Sequence, residues 1–376
     1  MKNWLEGESD DPVELEHMTY NFTKAYVYYS GINNFATDNW GNPTEEYGGA
    51  SCKTWGVASS YTPTMPYSGD CLVGRTLQGM SKDMSGEPMY DIYNAYWGST
   101  TYADDFVSAA LLGTTDPGSG VDFGALTDAQ RVELAMKGAA YQTMWMYTLH
   151  EYESAIVKCE AGSLDDDSGA PHAWDEGWAY YAGSLQTEGE SDGYLTYTLA
   201  QMGCENFGTC DATSGTAVAN EMHLAHAISG LAHIRAGECA EANDDLTEIK
   251  KWMTAPLIQG ALRSAYKCDP AALNEGPEAC AAGYAFAAAV LPQIDRCDAN
   301  AAMTVETNMI FGANVPDGFA AVKSAIESTY SCLGVTCENV GGLHYSGMEA
   351  CSNCVQCSRR SRMRKLLFGH FPSNCC

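Results

Sequence analysis

Residues 171–185 read PHAWDEGWAYYAGSL, a pattern typical of an amphipathic helix. At about 100° per residue, the large apolar side chains form one stripe: Trp174, Trp178, Tyr181 and Leu185. His172 and Glu176 lie together on the opposite side, and Asp175 lies between the two faces. Imidazole and carboxylate groups on one edge of a helix indicate a metal-binding face. The alternative is that the carboxylates only complement the unpaired amides of the first helical turn.

The same scaffold recurs 106 residues later, where residues 277–291 read PEACAAGYAFAAAVL. Without a gap, Pro, Ala, Gly, Ala, Ala and Leu occupy the same positions in both copies. The polar edge is not repeated: His172 corresponds to Glu278, Asp175 to Ala281 and Glu176 to Ala282. Charges that served only helix capping would tend to occur in both copies. The difference therefore favours a functional site in the first copy alone.

Other helix signals flank these two stretches. Thr127 and Gln130 form a capping box, and the helical pattern then continues to about Cys159. A later helix through Leu246 is expected to break at Pro256 and to resume as residues 257–266, because proline lacks the N–H that a helix interior needs. We therefore predict an all-α fold: a disulfide-rich, duplicated helical bundle of two repeats of about 105 residues each.

This plan divides the chain into four regions: an irregular, Tyr- and Gly-rich N-terminal region (1–125), helical repeat 1 with the candidate metal site (126–237), helical repeat 2 (238–335), and a Cys-rich, basic C-terminal tail (336–376). Two similar aromatic segments, 26–31 and 93–99, indicate that the N-terminal region is the end of a preceding module. We expect a longer precursor, because no apolar signal segment follows Met1. In the tail, the spacing of the cysteines in residues 351–357 fits disulfides or zinc.

The charge and the cysteines restrict the class of protein. A net charge of −28 repels phosphate backbones, so we expect no nucleic-acid partner and an attraction for cations. Sixteen cysteines predict disulfides formed in an oxidising compartment, and Cys204 and Cys210 are expected to close their own loop. Asn21 begins a glycosylation sequon. We expect no membrane span, because the longest apolar run has about half of the roughly 20 residues required.

Two further groups of side chains have the spacing of metal ligands. His150 and Glu153 are one turn apart on one face of the first long helix, although an ordinary surface pair fits this spacing as well. His223, His226 and His233 fall on one stripe of a later helix, which is either a ligand face or a polar surface.

Four phrases resemble the Fe-assimilating, low-iron-inducible periplasmic proteins of algae: residues 172–185, 204–210, 253–266 and 283–292. With the segment 93–113, the resemblance covers roughly residues 90 to 335. The fold is also similar to imelysin-like helical duplications, in which an H-x-x-E motif is associated with metal binding. His150 and Glu153 fit that motif. The resemblance implies a secreted, periplasmic or cell-surface protein that helps a cell to take up iron.

We therefore predict an iron-binding protein that captures Fe3+ or Fe2+ and hands it over. Hard Fe3+ prefers carboxylate, phenolate and imidazole ligands, so the candidate ligands are His150, Glu153, His172, Asp175, Glu176, His223 and His226. Binding should weaken on acidification. A membrane iron transporter or a ferroxidase is the expected partner, with a cell-surface assembly as a further possibility. No H-E-x-x-H motif of a zinc protease is present, so we expect no enzyme. The alternative is a structural or adhesive surface glycoprotein without a metal function.

Overall fold

A computed structural model of the chain describes residues 22–30, 76–183, 193–310 and 314–344. These ranges contain helices joined by turns, and their only β-structure consists of isolated bridges. The all-α, disulfide-rich fold predicted from the sequence is confirmed. Asn21 and the cysteines of residues 351–357 lie outside the described residues, so the predictions for them stay predictions.

The helices are, in chain order, α1 (Phe22–Ser30), α2 (Leu77–Met80), α3 (Pro88–Trp97), α4 (Tyr102–Leu112), α5 (Asp128–Gly138), α6 (Trp145–Glu160), α7 (Ala170–Ala182), α8 (Thr196–Phe207), α9 (Val218–Ala236), α10 (Cys239–Cys268), α11 (Pro277–Cys297), α12 (Ala299–Met309), α13 (Phe319–Ser328), α14 (Tyr330–Leu333) and α15 (Cys337–Val340). A 3₁₀ turn spans Phe123–Ala125, and a π-helical segment, Ala139–Met144, joins α5 to α6. None of the helices in the described ranges is both long enough and apolar enough to span a bilayer.

Residues 88–97 and 102–112 differ from the irregular region expected there, because they form α3 and α4. Their aromatic side chains are buried: Tyr90, Tyr93, Tyr102 and Phe106. Tyr and Phe in this region therefore belong to helix faces packed on the core. The tyrosine content suggested loops, but packing of these rings favours helices instead.

Helices α10 and α11 form the centre of the bundle. Helix α10 packs against α6, α8, α9 and α11, and α11 also packs against α5 and α12. Nearly every residue of α11 between Gly283 and Ile294 is buried. Around this pair, α6 and α7 pack along each other, and α7 also contacts α9.

The predicted break at Pro256 is wrong, because α10 continues through it, and α11 likewise contains Pro292. A proline deprives the preceding turn of a hydrogen-bond donor. In α10, the Trp145 indole N–H donates to the Met253 carbonyl oxygen at 3.1 Å. In α11, the Tyr93 hydroxyl donates to the Ala289 carbonyl oxygen at 2.5 Å. Each acceptor is the carbonyl three residues before the proline, next to the one that loses its helical donor. Buried side chains from α6 and α3 therefore hydrogen-bond to each helix in the turn that the proline interrupts, which a sequence pattern does not show.

Disulfides join the helices of the described ranges. The predicted loop closure, Cys204–Cys210, is confirmed. The bonds Cys268–Cys280 and Cys297–Cys332 hold the second half together. Cys159–Cys239 joins the end of α6 to the start of α10 across a separation of 80 residues. Helices α7 and α11 begin in the two copies of the repeated stretch, whereas the repeat boundaries at 237/238 and 335/336 stay predictions.

Candidate functional site

The capping box of Thr127 and Gln130 begins the helical run that leads through the π segment into α6. On α6, His150 and Glu153 lie one turn apart, as the H-x-x-E spacing predicts. Nδ1 of His150 contacts Oε1 of Glu87, which precedes α3. Oε1 of Glu153 lies 2.5 Å from Nζ of Lys250 on α10. Both predicted ligands are therefore engaged by residues that are distant in the sequence.

Glu153 is buried, with 8% of its surface exposed. Burial raises the pKa of its carboxyl group, while the charge of Lys250 opposes this shift. Glu87 and His150 act on the same carboxyl group, Glu87 raising its pKa and His150 lowering it. Glu87, His150 and Glu153 therefore lie within one electrostatic neighbourhood.

Tyr147 lies one turn before His150 and faces α7. Its ring centroid is 5.4 Å from that of His150 and 5.1 Å from that of Tyr180. Burial raises the pKa of the Tyr147 hydroxyl, and Glu151 adds to the shift by its charge and a hydrogen bond. Tyr180 and Glu176 add to it by charge alone. Nζ of Lys82 lies 5.2 Å from the centre of the Tyr147 ring. The Tyr147 phenol thus lies near the carboxylates of Glu151 and Glu176, and a lysine ammonium group lies over its ring.

We call this group the α6–α7 cluster; its members are Glu87, Tyr147, His150, Glu151, Glu153 and Glu176. Four of its members are carboxylates, and Oε2 of Glu87 is buried without a hydrogen-bond partner among the described residues. Three of the members, His150, Glu153 and Glu176, were predicted from the sequence, whereas Glu87, Tyr147 and Glu151 were not. The four-residue spacing from Tyr147 to Glu151 was available as a signal, since it places both on one helix face.

The polar residues on the edge of α7 lie in different environments. Nε2 of His172 lies 3.6 Å from Oε1 of Glu176, and His172 is largely exposed. Asp175 is exposed as well. Among these three residues, Glu176 is the one whose charge acts on Tyr147. Glu176 therefore belongs to the α6–α7 cluster, whereas His172 and Asp175 are exposed to solvent.

The predicted histidine stripe on α9 is also divided. His223 is fully buried among aromatic rings, and its ring centroid lies 3.7 Å from that of Tyr181. Nε2 of His223 lies 2.9 Å from the Tyr152 hydroxyl oxygen. Burial, with a smaller effect of His226, lowers the pKa of His223 to about 3. His223 is thus a neutral core residue at ordinary pH, apart from the other two histidines.

His226 and His233 share one partner, Asp245 of α10. Nδ1 of His226 lies 2.7 Å from Oδ1 of Asp245, and Nδ1 of His233 lies 3.0 Å from Oδ2. Glu248 lies 4.0 Å from Nε2 of His226. Asp245 and Glu248 were not identified from the sequence. The signal for them is the short turn around Gly237, which folds α10 back against α9.

Within the ranges that the structure describes, no three His, Cys, Asp or Glu side chains are already arranged to hold a metal ion. The acidic and imidazole groups contact one another or lysine ammonium groups instead. Metal binding at either group of residues would therefore require these contacts to be exchanged for metal contacts.

The chain is all-α, disulfide-bonded and strongly acidic. Because disulfides form and persist in oxidising compartments, these features are those of an extracytoplasmic protein. The model of the Fea1 family, described as low iron-inducible periplasmic protein, matches residues 80–363. The chain belongs to this family, and the predicted relationship and location are confirmed. No curated protein and no solved structure matches the chain significantly.

Proposed function

We propose that this protein binds iron at the α6–α7 cluster and assists iron assimilation outside the cytoplasm. The observation that carries the proposal is the convergence of four carboxylates, one imidazole and one phenol from α6, α7 and the residue that precedes α3. Membership of a low iron-inducible periplasmic family supports it. The class of ligand also fits, because Fe3+ prefers hard oxygen donors together with imidazole.

The electrostatics of Tyr147 favour a cation at this place. Burial is the main cause of the raised pKa of its hydroxyl, and the nearby carboxylates of Glu151 and Glu176 add to it. Negative charges that raise this pKa also stabilise positive charge, whether a proton or a metal ion. A trivalent ion reverses the effect, because it stabilises the phenolate that the carboxylates alone disfavour. Iron binding at Tyr147 would release the phenol proton.

Glu87, Lys82 and Lys250 indicate how iron would enter the α6–α7 cluster. Oε2 of Glu87 is buried and has no hydrogen-bond donor, so it is an available ligand atom. Lys82 and Lys250 place ammonium groups beside Tyr147 and Glu153. Iron would take the place of these cations and free the lysines to turn outward. Such an exchange suits capture and hand-over, with a membrane iron transporter or a ferroxidase as the recipient.

The experiment is a titration of chelator-free protein with Fe3+ and with Fe2+, followed by equilibrium dialysis. We expect wild-type protein to bind iron and a Glu87→Gln/Glu176→Gln variant to lose it. Asp175→Asn is the matched control, because this carboxylate lies on α7 next to Glu176 in the sequence but is exposed and does not belong to the cluster. A Tyr147→Phe variant should lose the visible absorption of an Fe3+–phenolate complex. Binding should also weaken on acidification, as carboxylates and imidazole take up protons.

Results other than the expected ones show which part of the proposal is wrong. Iron retained by Glu87→Gln/Glu176→Gln but lost by His226→Gln/His233→Gln would move the site to the group around Asp245. A folded wild-type protein that binds no iron between mildly acidic and neutral pH would refute the proposal and favour a structural role at the cell surface. Thermal unfolding of each variant distinguishes a lost ligand from a lost fold.

A further inference from the structure

A cavity of about 750 Å³ lies between the π-helical segment, α8, α10 and α11, apart from the α6–α7 cluster. This volume is within the range of small-molecule sites. Apolar side chains dominate its wall, including Tyr141, Met144, Leu199, Phe207 and Phe286. The wall is therefore suited to an organic molecule with an apolar body.

The charge of the wall is opposite to that of the protein. The chain has 48 acidic and 20 basic residues, yet the described residues that line the cavity include Lys137 and Arg263 and no Asp or Glu. Lys137 forms an ion pair with Glu133, which lies outside the lining. Arg263 contributes a positive charge that no lining carboxylate compensates.

Two polar groups of the wall lack partners. Nε of Arg263 and Oγ1 of Thr198 are both buried and make no hydrogen bond within the part of the chain that the structure describes. A buried donor without an acceptor is costly, so such groups indicate an absent partner. An arginine guanidinium forms its best hydrogen bonds with a carboxylate, and a threonine hydroxyl can donate to the same group.

The backbone gives an independent indication. Four residues of the π-helical segment line the cavity: Ala139, Ala140, Tyr141 and Met144. A π-helical turn is less stable than an α-helical one and occurs frequently at functional sites. Here it widens the helix where the cavity lies.

We propose that this cavity binds an organic monocarboxylate, with its carboxylate on Arg263 and Thr198 and its apolar body among the aromatic and methionine side chains. The ligand would supply the acceptor that Arg263 lacks. The site differs in position and chemistry from the proposed iron site, so each proposal can fail without the other.

Isothermal titration calorimetry with dodecanoate tests the proposal, with methyl dodecanoate as the uncharged probe. We expect dodecanoate to bind the wild-type protein and its methyl ester to bind at least tenfold more weakly. Arg263→Met should weaken dodecanoate binding about tenfold to hundredfold, the loss expected for a charged hydrogen bond. Arg235→Met is the control, because Arg235 is exposed and pairs with Asp166.

Thr198→Val keeps the proposal testable if the arginine variant misfolds. Valine has nearly the same shape and removes a hydroxyl that lacks a partner, so the variant should be at least as stable as the wild type. Its affinity for dodecanoate should fall several-fold. Equal binding of the acid and its ester, undiminished binding to Arg263→Met, or no binding of either probe to folded protein would overturn the proposal.

Discussion

Helices α7 and α11 begin with the same repeated stretch but lie in different environments. On α7, His172 and Asp175 are exposed. On α11, Glu278 is exposed at the position equivalent to His172, whereas Ala281, equivalent to Asp175, is fully buried. The second copy thus retains a polar residue where it meets water and has alanine where it meets the core. Burial accounts for the absence of the Asp175 carboxylate from the second copy, but not for that of Glu176, whose equivalent Ala282 is only partly buried.

The residues common to both copies serve helix packing. A Cβ atom on Gly177 would lie 2.9 Å from the ring of Tyr152 on α6. A Cβ atom on Gly283 would lie 3.1 Å from the terminal methyl group of Met309 on α12. Both glycines therefore allow a neighbouring side chain to approach the helix closely. The comparison shows that the repeat preserves contacts, so it does not by itself mark Asp175 as a metal ligand.

The largest expected effect comes from transferring the polar edge to the second copy. Ala281→Asp would place a carboxylate in an apolar cluster with Phe106 and Phe123. We expect a loss of about 3–5 kcal/mol in the free energy of unfolding, the cost of an uncompensated buried charge. The reverse change, Asp175→Ala, should alter it by less than about 0.5 kcal/mol. Urea unfolding of both variants is the measurement, and a tolerated Ala281→Asp would contradict the burial argument.

The second effect is a pH dependence of stability that distinguishes the surroundings of α7 from those of α11. Tyr181 of α7 stacks on His223, whereas the equivalent residue of α11 is Ala287. Burial lowers the pKa of His223 to about 3, so below about pH 6.5 the unfolded chain binds a proton that the folded chain does not. This residue therefore reduces stability as the pH falls from about 6.5 toward 3, by about 1.4 kcal/mol per pH unit.

Stability curves of wild type and His223→Gln between pH 6 and pH 4 measure this effect. The variant should lose less stability on acidification than the wild type, whatever its stability at neutral pH. His172→Gln is the control, because an exposed histidine changes its surroundings little on unfolding. Parallel curves for wild type and His223→Gln would show that His223 is not protected from protonation in the folded protein.

The smallest of the three effects compares the shared glycines. Gly177→Ala should lower the free energy of unfolding by about 1–3 kcal/mol, because the rigid Tyr152 ring must move. Gly283→Ala should cost less than about 1 kcal/mol, since the end of Met309 can turn away and alanine favours the helix. Thermal unfolding distinguishes the two, and a larger loss at Gly283 would reverse our ranking of the contacts.

Local signals predicted much of the fold. The capping box at Thr127, the helix after it and the short disulfide loop Cys204–Cys210 depend on neighbouring residues, and all are present. The prediction failed at Pro256, because α10 continues through the proline within long-range packing that includes a hydrogen bond from Trp145, far away in the sequence. It also failed for residues 88–112, whose tyrosines are buried by helices from other parts of the chain.

Only the part of the candidate site that depends on helical spacing could be predicted from the sequence. Helical spacing placed His150 and Glu153 on one face, but their partners Glu87 and Lys250 come from other helices or loops. The spacing of His223, His226 and His233 suggested one stripe. A difference of some tens of degrees around α9 is enough to bury the first and to turn the other two toward Asp245. Periodicity gives directions around a helix, but not what lies in each direction.

The disulfide Cys159–Cys239 has a consequence for the order of folding events. In the oxidised chain, α6 and α10 are linked by a short covalent path even before any helix forms, because the bond bypasses the whole segment that contains α7, α8 and α9. The contact of Glu153 with Lys250 thereby becomes effectively local, and local contacts form faster than distant ones. Oxidation should thus accelerate the docking of α6 on α10. The three bypassed helices then lie in a covalently closed loop and can pack onto that pair afterwards.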